Sequence, residues 1–234
     1  MAQLIQLPRR AAVSTVQAVD NALRPLVPAN SVDEWGRDDH LVRLLAPVMR
    51  LRWDAVIGGL EHLPAQRGAL LVTNDRRFSY SPLWVALALS DATDRPVRFV
   101  GRPDSAPFGA ALRRIGALLA NPAEVHGALR HGELVVLGTS ATTHPRHAGS
   151  VDPLIVGAAV TTRSAVLPVA SMSTLLNRSA RAEIGPAVTA RTKRRGPLAE
   201  IELAETVQRR LQTMLDELGG AQTGVAPIVW LGEG

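Results

Sequence analysis

The sequence predicts an α/β fold in which a central mixed, largely parallel β-sheet is flanked by helices. Short apolar runs alternate with helical segments through most of the 234 residues, a pattern typical of a buried sheet covered by helices. Hydrophobic residues make up 46% of the chain and charged residues 20%, which is enough apolar material for a packed core. The length fits one large domain with extensions.

Six apolar runs predict strands, and polar loops separate them from four helical segments. The predicted strands are Ala55–Ile57, Ala69–Thr73, Val97–Val100, Gly116–Leu119, Glu133–Leu137 and Ala165–Ala170. The predicted helices are Pro82–Leu89, Ala106–Ile115, Pro122–Arg130 and Leu154–Thr161. Asn121 stands directly before Pro122, where asparagine is a favoured helix N-cap.

Helical segments are also predicted on either side of this region. Residues 1–28 have the pattern of a basic amphipathic helix, which fits either a membrane surface or the protein's own domain. The spacing of Ser31 and Glu34 predicts a capping box ahead of a second helix whose apolar stripe runs from Leu41 to Leu51. A last amphipathic helix is expected to stop at Gly219-Gly220. We therefore divide the chain into an amphipathic helical extension (residues 1–33), an α/β domain (34–190) and a basic link with the C-terminal helix and tail (191–234).

Composition restricts the functional classes. The chain has no cysteine, which excludes disulfides, thiolate metal sites and a cysteine nucleophile. We expect neither a transmembrane helix nor a signal peptide, and hence a cytoplasmic protein. The net charge of +5 favours anionic partners, including the inner face of the membrane, although a GC-rich coding sequence would also enrich arginine. Aromatic residues, at 3%, leave few platforms for stacking bases, so nucleic-acid binding is not expected.

A series of motifs runs through the predicted α/β domain. They are Gly59–Pro64 (Gly-Leu-Glu-His-Leu-Pro), Gly68–Asn74 (Gly-Ala-Leu-Leu-Val-Thr-Asn), Arg113–Gly116 (Arg-Arg-Ile-Gly), Gly132–Leu137 (Gly-Glu-Leu-Val-Val-Leu) and Val166–Ala170 (Val-Leu-Pro-Val-Ala). In type and order they resemble the glycerolipid acyltransferase family, typified by 1-acylglycerol-3-phosphate and lysophospholipid acyltransferases. The resemblance implies an α/β fold and transfer of an acyl group from acyl-CoA or acyl-carrier protein to an acceptor hydroxyl.

The family's chemical groups are replaced in this sequence. Where the family has the His and Asp of its His-x4-Asp motif, this chain has Asp75 and Tyr80. An exposed aspartate has a pKa near 4 and is a weak base for an alcohol, and Tyr80 offers no orienting charge. The phosphate-gripping Phe-Pro-Glu-Gly-Thr-Arg is replaced by Gly138–Thr143 (Gly-Thr-Ser-Ala-Thr-Thr). The pattern predicts a protein of this kind without an intact catalytic pair.

Two loops carry the candidate binding residues, and we expect a groove between them. The candidates are Asn74, Arg76, Arg77, Arg102, Gly138, Thr139, Ser140 and Thr142. The arginines suit an anionic head group, but the first loop is equally compatible with a solvated turn in which Asp75 caps the next helix. His144 and His147 are expected in an exposed loop, with a displaced base or a metal site as alternatives. No metal or resident cofactor is expected.

Three functions remain open from the sequence. The first is a non-catalytic acyltransferase-like protein that binds a lipid, an acyl chain or a protein partner. The second is an active acyltransferase of phospholipid or glycolipid synthesis that uses acyl-CoA or acyl-carrier protein and non-standard residues. The third, a nucleic-acid-binding domain, rests on positive charge alone.

Overall fold

The computed structural model describes residues 32–76, 79–104, 109–144, 146–173, 178–189 and 196–221. Its strands are β1 (Asp54–Gly58), β2 (Ala69–Thr73), β3 (Val97–Gly101), β4 (Ala117–Leu119), β5 (Leu134–Gly138), β6 (Ala165–Ser173) and β7 (Ser179–Ile184). Its helices are α1 (Asp39–Arg52), α2 (Ser81–Thr93), α3 (Gly109–Arg114), α4 (Pro122–Arg130), α5 (Pro153–Thr162) and α6 (Pro197–Ala221), with a 3₁₀ turn at Leu60–His62.

The strands form one mixed sheet in the order β1-β7-β6-β2-β5-β3-β4. Strands β6, β2, β5, β3 and β4 are parallel, whereas β7 runs antiparallel to β6 and pairs in parallel with β1. All five residues of the central strand β2 are buried, as expected for a parallel strand covered on both faces. The predicted fold class is confirmed.

Each face of the sheet has its own core. Leu70 and Val72 of β2 pack with buried side chains of α4, α5 and α6 on one face. Ala69 and Leu71 point to the other face, where they pack with Trp84 and the rest of α2. The alternation of strand side chains between faces thus explains why both halves of this apolar run are buried. Helix α6 contributes Val207 to the core around Leu70 and Val72. Both Val207 and Leu211 of this helix are fully buried.

Helix α1 corrects two expectations from the sequence. Its N-cap is Asp38, whose carboxylate accepts hydrogen bonds from the N–H groups of His40 and Leu41, both at 3.1 Å. Asp33, in the expected capping box, instead accepts from Trp35 and Arg37. Much of the expected apolar stripe is exposed: Leu44 is 50%, Val48 58% and Leu51 67% accessible. The helix therefore buries only one edge of that stripe.

Two further differences concern the C-terminal half. Strand β7 was not predicted, and α6 continues through Gly219-Gly220 to Ala221. None of the described helices combines the length and hydropathy required to cross a bilayer. The expected helix in residues 1–28 and the basic link at residues 191–195 lie outside the described residues.

Candidate functional site

The two candidate loops leave the same edge of the sheet. Strand β2 ends at Thr73 and pairs there with Gly138, the last residue of β5. Ligand sites of open α/β sheets lie beyond the carboxyl ends of parallel strands. The register therefore brings the loop that follows Thr73 against the loop that follows Gly138.

Asp75 occupies the centre of this region. Its carboxylate accepts a hydrogen bond from the Ser79 hydroxyl at 3.2 Å and further bonds from the N–H groups of Arg76 and Ser81. Ser81 is the first residue of α2, so the carboxylate lies at the positive end of that helix. Burial raises the pKa of the Asp75 carboxyl, although these three hydrogen bonds act in the opposite direction. Asp75 thus serves as a helix-terminal acceptor, one of the two roles that the sequence left open.

Tyr80 does not partner Asp75. It is the residue before α2, has a left-handed backbone with φ of 51°, and makes no capping hydrogen bond through its side chain. The side chain is 60% exposed, and no hydrogen bond joins it to Asp75 within the described part of the chain. Asp75 and Tyr80 are therefore not joined as a hydrogen-bonded pair among the described residues.

Asn74 and Arg76 connect the first loop to β6. The Asn74 side chain accepts from the Ser171 N–H at 2.7 Å and donates to the Ser171 carbonyl at 2.9 Å. It is 4% exposed. The Arg76 guanidinium donates to the Ser173 carbonyl at 3.1 Å. Both side chains thus hold the loop against the sheet.

Of the two remaining arginine candidates, the structure describes Arg102 alone. Arg102 is exposed, one residue beyond β3. It forms no hydrogen bond or ion pair with another described residue. Arg77 lies outside the described residues.

The second loop contacts the first directly. Thr139 accepts from the Asp75 N–H through its hydroxyl at 3.1 Å, and the Thr142 N–H donates to the Asp75 carbonyl at 3.1 Å. A Cβ added to Gly138 would lie 2.7 Å from Pro82 Cγ. The close approach of the end of β5 to the start of α2 therefore requires glycine. The described parts of the two loops therefore pack together, where the sequence predicted a groove between them.

The rest of the second loop is folded on itself. The Ser140 hydroxyl accepts from the Ser150 N–H at 2.8 Å. Thr142 donates to the carbonyls of His144 and His147, and both histidines are exposed. Among the described residues, no cluster of three potential metal-ligating acids or histidines occurs.

A cavity of about 980 Å³ lies between α1, α2 and β1. Apolar side chains line part of it, including Val42 and Met49 of α1 and Trp84 of α2. The rest of the wall carries both arginines and aspartates, and two of these arginines form ion pairs with aspartates of the same wall. No pattern in the sequence predicted this cavity. The apolar periodicity of α1 predicted a helix, but it could not show that this helix leaves a cavity between itself and α2.

Comparison with known proteins supports the fold. The structure resembles the crystal structure of the 1-acyl-sn-glycerophosphate (LPA) acyltransferase PlsC from Thermotoga maritima, with a TM-score of 0.56 and 17% sequence identity. The match covers 89% of this chain and 92% of that one. No protein-family model and no curated protein matches the sequence. The chain therefore has an acyltransferase-like fold, in agreement with the motifs.

Proposed function

We propose that this protein is a non-catalytic, acyltransferase-like protein that binds a lipid or an acyl chain at the inner face of the membrane. The fold and the motif series support an acyltransferase-like framework. The main support comes from the hydrogen bonds of Asp75. By the motif resemblance, this residue stands where the family has its catalytic histidine.

The surroundings of Asp75 argue against general-base catalysis. A catalytic base must reach the acceptor hydroxyl with a free lone pair. The Asp75 carboxylate is already engaged by the Ser79 hydroxyl and by two backbone N–H groups, so an acceptor hydroxyl would compete with these donors. Its partner position, Tyr80, makes no contact that would orient it. The hydrogen-bonded loops also leave little room for an acceptor beside Asp75.

The cavity between α1, α2 and β1 is the best-suited place for an acyl chain. Its volume of about 980 Å³ is at the upper end of the range of ligand pockets. Apolar side chains on α1 and α2 suit a hydrocarbon chain. Among the arginines at the wall, Arg43 forms no ion pair with a described residue and suits an acidic head group. A ligand there would not require the two candidate loops to separate.

One observation favours the alternative of an active acyltransferase. Burial raises the pKa of Asp75, and a raised pKa makes a carboxylate a better base. In that case Asp75 would accept the proton of the acceptor hydroxyl, and acyl-CoA or acyl-carrier protein would be the donor.

An acyl-transfer assay separates the two functions. The purified full-length protein is incubated with acyl-CoA or acyl-carrier protein and with lysophosphatidate, a lysophospholipid or glycerol-3-phosphate. We expect no transfer above the rate without protein, and the same result for Asp75→Asn. Turnover that Asp75→Asn abolishes would establish the active alternative.

Native mass spectrometry with lipid extraction tests the binding function. We expect a co-purifying or added fatty acid or lipid, displaced by Ala88→Trp, since Ala88 lines the cavity. Val48→Trp is the matched control, because it adds the same ring to an exposed position of α1. Equal occupancy in both variants would reject the cavity, and a co-purifying protein without lipid would favour a partner-binding role.

A further inference from the structure

A second cavity, of about 620 Å³, lies at the opposite edge of the sheet from the candidate site. The loop before β2, the end of α4 and the end of α5 surround it. Its charged, imidazole and hydroxyl side chains are Arg67, Arg130, Arg163, His126, His131, Thr161, Thr162 and Ser164. The apolar cavity under α1 shares none of these residues.

The charge at this cavity is uncompensated. No aspartate or glutamate is among the residues that line it. Within the described ranges, Arg67, Arg130 and Arg163 form no ion pair, whereas Arg50 and Arg98 each bind a carboxylate. Three arginines without a described carboxylate partner therefore line one concave surface.

Backbone geometry holds this surface in place. A Cβ added to Gly68 would lie 2.4 Å from the Leu129 carbonyl oxygen, so glycine lets the Arg67 loop approach the end of α4. The Arg95 guanidinium donates to the carbonyls of Arg67 at 3.1 Å and of Gly132 at 3.2 Å. These contacts fix the loop and the turn after α4 relative to each other, so the backbone that carries Arg67 is positioned before any ligand arrives.

Helix dipoles explain part of this arrangement. Arg130 lies in the last turn of α4, and Arg163 caps α5 with a left-handed backbone. Cations at helix C-termini are favourable, which accounts for each of these two residues separately. The dipole does not account for Arg67, which lies in a loop, or for a wall without any acid. The presence of all three arginines in the lining of one cavity indicates an anion-binding site.

We propose that this cavity binds a phosphate group. Guanidinium groups form paired, charge-assisted hydrogen bonds with phosphate oxygens, and three arginines line this cavity. The ligand is a phosphomonoester, carried by a small soluble molecule or by the head group of an acidic lipid. The site stands apart from the acyl-binding function proposed above and does not depend on it.

Titration calorimetry of the full-length protein with inorganic phosphate and with pyrophosphate, at low ionic strength, tests the site. We expect Arg130→Gln with Arg163→Gln to weaken binding by about tenfold or more. Arg67→Gln alone is a second variant, and as an exposed loop change it should leave the thermal midpoint unchanged. The matched control is Arg209→Gln with Arg210→Gln, which removes the same charge from exposed positions of α6.

Vesicles distinguish the source of the phosphate. Binding to phosphatidate vesicles that only the cavity variants reduce, with weak binding of pyrophosphate, would assign the lipid head group. Tighter binding of pyrophosphate with no effect of the variants on vesicles would assign a soluble phosphoester. Absence of phosphate binding in both assays would overturn the proposal. An equal loss in the α6 control would overturn it as well, because the effect would then be that of net charge.

Discussion

The chemistry available to the loop after β2 depends on the type of residue at position 75. Histidine at position 75 would present an imidazole whose ordinary pKa lies near neutral pH. Aspartate in the same place instead takes hydrogen bonds from Ser79, Arg76 and Ser81 at the start of α2. The described contacts of Asp75 are thus hydrogen bonds from the protein's own groups, which support the non-catalytic function proposed above.

The raised pKa of Asp75 gives a pH-dependent prediction. A carboxyl whose folded-state pKa exceeds its unfolded value destabilises the fold once pH rises through that window. Asp75→Asn removes the desolvated charge while keeping an oxygen acceptor. We therefore expect its melting temperature at pH 7 to exceed that of the parent protein, on the order of a few degrees. The difference should vanish at about pH 3–4, where the parent carboxyl is also neutral.

Asp152→Asn is the matched control for this prediction. Asp152 caps α5 by accepting from the Leu154 N–H at 2.9 Å, but it is exposed. Scanning calorimetry of both variants from pH 3 to pH 8 should show a gain for Asp75→Asn and none for Asp152→Asn. A lower midpoint for Asp75→Asn at pH 7 would mean that its hydrogen bonds outweigh its desolvation.

At the scale of elements, a buried ion network joins the segment before α1 to the sheet. Arg98 of β3 is fully buried and forms ion pairs with Glu133, just before β5, and with Asp33. Its guanidinium also lies 6.0 Å from the centre of the Trp35 ring. Burial opposes the charge of Arg98, but the two carboxylates outweigh it and raise its pKa. This network determines where the chain enters α1.

We expect the loss of one carboxylate from this network to lower the free energy of unfolding. Glu133→Ala leaves the buried Arg98 with only the partly exposed Asp33. We expect the free energy of unfolding to fall by about 3 kcal/mol or more, and by less for Glu133→Gln, which keeps an acceptor. Glu61→Ala, at an exposed carboxylate, should change it by about 0.5 kcal/mol or less. Urea denaturation measures all three, and equal effects of Glu133→Ala and Glu61→Ala would contradict the role of the network.

The elements also show what local sequence patterns can reveal. Strands β2 and β5 were predicted because their apolar runs are almost continuous. Strand β7 was missed because two of its three buried residues, Ala180 and Ala182, are small, and the buried residues alternate with polar ones. The contact between Asn74 and Ser171 spans 97 residues, and no local pattern encodes such a pairing. The motifs thus pointed to the two candidate loops. Only the three-dimensional structure showed that these loops pack against each other.

On the scale of the whole molecule, exposed apolar side chains are concentrated on α1. Leu44, Val48 and Leu51 are each at least half exposed, and the arginines of the same helix share the surface. The chain carries a net charge of +5. An apolar stripe beside basic residues is typical of a helix that lies on an anionic membrane. The sequence left that role open for residues 1–28, which lie outside the described residues.

Vesicle binding tests whether α1 contributes to such a surface. We expect the protein to bind anionic vesicles, to bind neutral vesicles weakly, and to lose binding as salt screens the charges. Leu44→Ser with Val48→Ser should reduce the partition coefficient by about tenfold or more, because each apolar side chain would otherwise leave water. Leu154→Ser with Leu198→Ser is the matched control, since both leucines are exposed but lie on α5 and α6. Those helices cover the other face of the sheet, so the control should bind like the parent protein. Equal losses in both pairs would show general surface hydrophobicity in place of a membrane-facing α1.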